Sequence, residues 1–178
     1  WQNNTIYNNT LKNQFFADKH LPMPTEIERK YLIKGTIPKG SDTQISQAYL
    51  CTDKLRTIRV RIEDDIATIN VKTKPSDASS TTITRMEYEY EIPLTDAQEM
   101  RECAIGEPIE KTRTIIQENG HTWEVDTFHG ANAGLIVAEV ELESEDQPVH
   151  CPDWIGREVS SESKYFNSQL MKAPYNTW

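Results

Sequence analysis

The residues of this chain that could do chemistry come in rows spaced two apart. Glu26 and Glu28, then Glu87, Glu89 and Glu91, then Glu139, Glu141 and Glu143 are carboxylate rows. Arg59 and Arg61, Lys72 and Lys74, and Lys111 and Arg113 are cationic rows. Side chains two apart share one face of a β-strand. Apolar residues alternate with the charges: Ile58, Val60 and Ile62 around the Arg pair, Tyr88, Tyr90 and Ile92 around the middle Glu row, Ala138, Val140 and Leu142 around the last. One such strand is equally an ordinary sheet with a wet face and a core face. Six of them, with acids and bases sorted onto different strands, fit that reading poorly, because like charges two apart repel unless compensated. A polar interior supplies the compensation, acidic strands facing basic strands with ions between. Carboxylate clusters such as Glu26/Glu28 and Glu139/Glu141 suit hard divalent cations, Mg2+ or Mn2+. Arg and Lys rows suit phosphate oxygens. The two walls together describe a site for a metal-chelated polyphosphate. A Gly-rich phosphate loop is absent, which disfavours a Walker-type NTPase.

The elements that must hold these rows are strands. From residue 24 the dominant period is two, over 25–33, 44–51, 56–63, 66–74, 83–92, 110–118, 121–128 and 136–144. Asn119-Gly120 predicts a hairpin whose two central residues take positive φ, and Asp64-Asp65 another tight turn. Thr95-Asp96-Ala97-Gln98 reads as a capping box and Gly106 as a stop, predicting a helix over 96–105. Further helical stretches are expected near 152–157 and 162–171, and a loop over 75–82. The pattern predicts an α+β fold: an eight-stranded antiparallel β-barrel forming a tunnel, with a few peripheral helices on its apolar outer face.

The length of 178 residues fits one domain, placed at 23–178. Residues 1–22 are dense in Asn and lack a sustained period, and are set apart as an N-terminal extension or expression remnant. A net charge of −9 argues against nucleic acid as partner, since a phosphate backbone needs a broad basic surface. No stretch approaches the roughly 20 apolar residues of a membrane helix, and no secretory signal is visible. Cys51, Cys103 and Cys151 are far apart and odd in number, so reduced, quiet thiols and a cytoplasmic setting are expected. His20, His121, His129 and His150 have no metal-ligand spacing.

The ordered series of motifs resembles the CYTH, or triphosphate tunnel metalloenzyme, family. It runs from Glu26-Ile27-Glu28-Arg29-Lys30 through Gln47-Ala48-Tyr49-Leu50, Arg59-Val60-Arg61, Val71-Lys72-Thr73-Lys74 and the string from Arg85 to Pro93. It continues through Glu110-Lys111-Thr112-Arg113, Trp123-Glu124-Val125-Asp126 and the string from Gly134 to Leu142. The resemblance spans roughly residues 24–170 and is nearest to short bacterial inorganic triphosphatases. It implies hydrolysis of tripolyphosphate to pyrophosphate and phosphate. An organic triphosphate (ATP or thiamine triphosphate) and a non-catalytic polyphosphate or nucleotide binder are the alternatives.

On that resemblance, Glu26, Glu28, Glu139 and Glu141 hold one or two Mg2+ or Mn2+ ions, with Glu89 and Asp126 as further ligands or outer support. Lys30, Arg59, Arg61, Lys72, Arg85, Lys111, Arg113 and Lys164 grip phosphate oxygens. Glu26, Glu28, Lys30, Lys111 and Tyr49 are the catalytic set, although Tyr49 reads equally as a buried strand tyrosine. Lys74 and Arg56 are expected in solvent. Near the C-terminus the chain departs from the family's acidic string: Ser161-Glu162-Ser163 precedes Lys164, keeping the cation and thinning the acids. The implied partner is a small-molecule triphosphate, without nucleic acid or membrane; a homodimer is compatible.

Overall fold

The computed structural model describes residues 27–53, 56–73 and 86–178. Nine strands form one antiparallel sheet: β1 (Ile27–Ile33), β2 (Ser41–Thr52), β3 (Arg56–Glu63), β4 (Ile66–Thr73), β5 (Met86–Ile92), β6 (Ile109–Glu118), β7 (His121–Phe128), β8 (Ile136–Leu142) and β9 (Ile155–Glu158). Their order is β5-β4-β3-β2-β6-β7-β8-β1-β9. The eight expected strands are present, shifted by a few residues at their ends. Among the described residues the hydrogen bonding does not close, and β5 and β9 are the edges. The sheet nevertheless curls strongly. Leu32 on β1 packs against the apolar cluster that holds Tyr49 on β2, although β6, β7 and β8 lie between them in the sheet.

The turns follow their residues. Asn119 and Gly120 take φ of 52° and 78°, the doubly left-handed geometry of a two-residue hairpin. Asp64 takes φ of 49° between β3 and β4, and its carboxylate accepts from the Gln44 amide.

Three helical expectations need correction. The helix α1 runs Leu94–Glu102 and makes no side-chain cap; the Ala97 amide instead donates to the Pro93 carbonyl at 3.1 Å. Thr95 sits inside the first turn and therefore cannot cap it. The stretch 152–157 is not helical: β9 pairs with β1 there. Trp154 is drawn onto Trp123, ring centroids 5.7 Å apart, and Gly156 lets the backbone approach the Leu32 carbonyl. The stretch 162–171 breaks into a 3-10 turn at Ser163–Tyr165 and a one-turn helix, α2 (Asn167–Leu170). Phe166 between them is extended, which lets Tyr165 on one side and Leu170 and Met171 on the other all reach the same apolar cluster.

Register and alternation assign every strand residue a face. On the outer face Trp123, Val125, Ala138, Val140 and Tyr31 pack with Trp154. Farther along the sheet, Val60, Ala67 and their neighbours pack under α1 through Ala97. Burying these apolar rows, at about 25 cal/mol per Å2, supplies the main drive for the fold. The inner face is divided along its length. At one end Tyr49, Ile109, Phe128 and Val137 form an apolar floor with Tyr165, Leu170 and Met171 of the C-terminal segment. The other end carries the charge.

Candidate active site

Two strand groups bring the charged rows together. On β1, β8, β7 and β6 the register sets Glu28 opposite Glu141, Lys30 opposite Glu139, Glu124 opposite Glu139, and Arg113 opposite Asp126. All these side chains lie on the inner face. Lys30, buried on β1, binds Glu28 at 2.9 Å and also binds Glu139. Burial works against its charge, but Glu139 and Glu28 hold it above the ordinary lysine range.

Arg113 is the hub of this group. Its Nε and Nη2 meet the two oxygens of Asp126 at 2.7 and 2.8 Å, its Nη1 binds Glu124, and Nη2 also reaches Glu139 at 3.2 Å. Lys111 binds the same Asp126 and lies 5.7 Å from the Phe128 ring centre. Burial pushes the Asp126 carboxyl up, yet Lys111 and Arg113 outweigh it and hold the group at about 2. Burial likewise lowers Lys111 despite Asp126.

On β2 to β5 the inner face carries Gln47 and Tyr49, Arg59 and Arg61, Asn70 and Lys72, and Glu87 and Glu89. Lys72 meets Glu87 at 3.0 Å, and Asn70, wholly buried, donates to Glu89. Arg61 binds Glu63 at 2.9 Å. Among the described residues the buried Nε atoms of Arg59 and Arg61 have no hydrogen-bond partner. Such donors call for an acceptor, because an unmet buried polar group is costly.

The expected residues are thus partly gathered. Glu28, Lys30, Lys111, Arg113, Asp126, Glu139 and Glu141 share one region of the inner face. Arg59, Arg61, Lys72 and Tyr49 share the adjoining one. Glu89 lies on the edge strand β5 with Asn70, away from Asp126 and Glu139 in the sheet. Lys164 rests on aromatic rings, 4.4 Å from the Trp178 centroid and 5.0 Å from that of Tyr165. Glu26, Arg85 and Lys74 lie outside the described residues. Arg56, as expected, is in solvent, paired with Asp53 at 2.5 Å.

Glu124, Gln47 and Asn70 join the site without having been in the sequence-based set. Spacing was the available signal for Glu124 and Gln47, each two residues from a chosen residue, Asp126 and Tyr49. Asn70 is likewise two before Lys72.

The donor chemistry fits a hard divalent cation. Five carboxylates (Glu28, Glu124, Asp126, Glu139, Glu141) share their region with three cations (Lys30, Lys111, Arg113). Burial raises the Glu124 carboxyl, and Glu139, Asp126 and Glu141 add to the rise against the pull of Arg113. Excess negative charge of this kind is what a divalent ion relieves. Among the described residues, no three candidate ligands already converge on one point.

The fold is a curled antiparallel sheet with a charged inner face, and the CYTH domain matches residues 24–174. The chain belongs to the CYTH domain family. It is 43% identical over 159 residues to a protein of Acetivibrio thermocellus named inorganic triphosphatase, covering 88% of this chain and 99% of that one. It is 34% identical to a Nitrosomonas europaea protein of the same name, covering 82% and 96%. A crystal structure of an inorganic triphosphatase superposes with a TM-score of 0.63 at 32% identity, covering 84% of this chain and 95% of that one. Among the described residues no helix is long and apolar enough to cross a membrane. Cys51, Cys103 and Cys151 are free.

Proposed function

We propose that this chain hydrolyses inorganic triphosphate to pyrophosphate and phosphate on the inner face of its sheet, which curls into a tunnel-like barrel around the substrate. The observation that carries the reading is the pair of buried guanidinium Nε donors, on Arg59 and Arg61, without partners among the described residues and beside a carboxylate-rich region. A linear triphosphate laid along that face meets both needs. Arg59, Arg61 and Lys72 hold its oxygens, with Lys30 at the junction of the two regions. Tyr49 donates from the floor. Arg113 and Lys111, already engaged by Asp126, order the carboxylates and add positive field. The relatives named inorganic triphosphatase favour the inorganic substrate over ATP or thiamine triphosphate.

Glu28, Glu139 and Glu141, with Glu26 two residues before Glu28, would hold Mg2+ or Mn2+, which supplies charge neutralisation on phosphoryl oxygens and a more acidic water. The reaction is in-line attack of water on a terminal phosphorus: the new P–O bond forms as the anhydride P–O bond breaks, and pyrophosphate leaves. A carboxylate of the acidic region accepts the water's proton. Lys30 and the Arg pair stabilise charge on the leaving and equatorial oxygens, in a setting already arranged for it. The free thiols agree with a cytoplasmic setting.

The test is phosphate release from tripolyphosphate, pyrophosphate, ATP and thiamine triphosphate, each with Mg2+ or Mn2+ and after chelation. Tripolyphosphate is expected to be turned over fastest, and chelation to abolish the rate. Equal rates on ATP and tripolyphosphate would overturn the inorganic assignment, and binding without release would leave a binder.

A further inference from the structure

We propose that Gln47 is the positioning residue for Tyr49, fixing which way the phenol presents its proton to the phosphate. The inference rests on the triphosphatase reading for its catalytic consequence, though not for its geometry.

Gln47 is 1% exposed in the middle of β2, one of two buried amides, with Asn70, on the charged part of the inner face among the described residues. Its register partners are Arg61 on β3 and Ile109 on β6, so it sits where the charged region meets the apolar floor. Its Nε2 donates to the Tyr49 hydroxyl at 2.8 Å. Its Oε1 is buried without a hydrogen-bond partner among the described residues. Arg59 is the register partner of Tyr49 and lies on the same face.

A phenol oxygen that accepts from an amide and faces a guanidinium cannot also aim its own proton at them. The O–H is left to turn toward the space above the floor, where Lys30 and Arg61 also act. Tyr49 is itself held rigidly. The β2–β3 register slips between Tyr49 and Cys51, a bulge that re-aims a strand side chain, and the Ile105 amide binds the Tyr49 carbonyl at 2.8 Å. Gln47 therefore removes the one freedom left to Tyr49, rotation of its hydroxyl.

The test uses Gln47→Leu, Gln47→Glu, Tyr49→Phe and the Gln47→Leu/Tyr49→Phe double variant, each checked for its melting temperature. With tripolyphosphate, Gln47→Leu and Tyr49→Phe should each lower kcat about tenfold with KM changed less than about twofold, and the double variant should lose no more than Tyr49→Phe alone. Gln47→Glu should also lose activity, since its carboxylate accepts a hydrogen bond from the phenol and turns the O–H away from the phosphate. Losses that multiply in the double variant, or a Gln47→Leu enzyme with unchanged kcat, overturn the proposal.

A second readout does not need turnover. In protein with 13Cζ-labelled tyrosine, Gln47→Leu should shift the Tyr49 resonance at neutral pH; an unmoved resonance refutes the hydrogen bond as a control on the phenol. If the wild-type chain releases no phosphate, the functional reading fails while this measurement still decides the Gln47–Tyr49 relationship.

Discussion

Asp126 receives the Arg113 guanidinium on both of its oxygens, Nε on Oδ1 at 2.7 Å and Nη2 on Oδ2 at 2.8 Å, and Lys111 shares Oδ2. Asp126 is wholly buried and Lys111 nearly so. Removing the carboxylate with Asp126→Leu strands two buried cations, a loss of about 3–5 kcal/mol by precedent for one-sided removal of buried pairs. Urea unfolding monitored by tryptophan fluorescence measures it. A loss below about 1 kcal/mol would mean that Glu139 and Glu124 can carry Arg113 unaided.

The same pair predicts a pH dependence. Against an ordinary Asp value near 3.9, the Asp126 carboxyl at about 2 is depressed, so the folded state favours its charged form. The associated stability is therefore fully present above about pH 4 and is lost as the pH falls toward about 2. In metal-free buffer, the stability gap between wild type and Asp126→Asn should be constant at neutral pH and shrink through that window. A gap that widens on acidification contradicts the assigned sign.

Phase along β3 separates inward-facing from outward-facing arginines. Arg59 and Arg61 point to the inner face; Arg56 is in solvent with Asp53. Arg59→Gln or Arg61→Gln should lower kcat/KM for tripolyphosphate about 10²–10³-fold, the range for loss of one preorganised electrostatic donor. Arg56→Ala should leave rate and melting temperature unchanged. Steady-state phosphate release compares the three, and similar losses in all would erase the distinction between the faces.

The metal assignment is tested at Glu28, which faces Glu141 across β1 and β8. Glu28→Gln should retain the fold and demand at least about tenfold more Mg2+ or Mn2+ for half-maximal rate, since it deletes one anionic oxygen donor. A metal titration of phosphate release reads this directly. An unchanged metal requirement would move the ion elsewhere on the inner face.

Alternation made the strands legible because inner and outer faces differ so sharply in polarity. Arg59 and Arg61 against Val60 state the geometry of β3 outright. What the sequence hid was pairing among the charges. Nothing in the spacing of Lys111 and Arg113 says that Asp126 engages both, because the partners meet across β6 and β7. A row of cations therefore read as phosphate ligands when part of it orders carboxylates. The surroundings of Lys164 are hidden for a similar reason: its neighbours in space, Tyr165 and Trp178, are set by how the chain folds back after α2. The helix expected near 152–157 failed because four residues, Ile155 to Glu158, are too few to show a period, and pairing with β1 decided their state.

That short strand supports the last prediction. A Cβ at Gly156 would lie 2.8 Å from the Leu32 carbonyl oxygen, a backbone atom that cannot swing aside. Gly156→Ala should therefore push β9 off β1 and cost about 1–3 kcal/mol, as overpacking does. The effect should reach the site. Just past β9, the Val159 amide donates to the Lys30 carbonyl at 2.8 Å and Ser160 Oγ accepts from the Lys30 amide at 2.9 Å, so the backbone of Lys30 is pinned by this segment. A lower melting temperature with a several-fold lower kcat/KM for tripolyphosphate is expected. Ser160→Ala, which removes one pin without the clash, should reproduce part of the kinetic loss with little change in melting temperature. Equal thermal and kinetic silence in both variants would show that Lys30 is held by Glu28 and Glu139 alone.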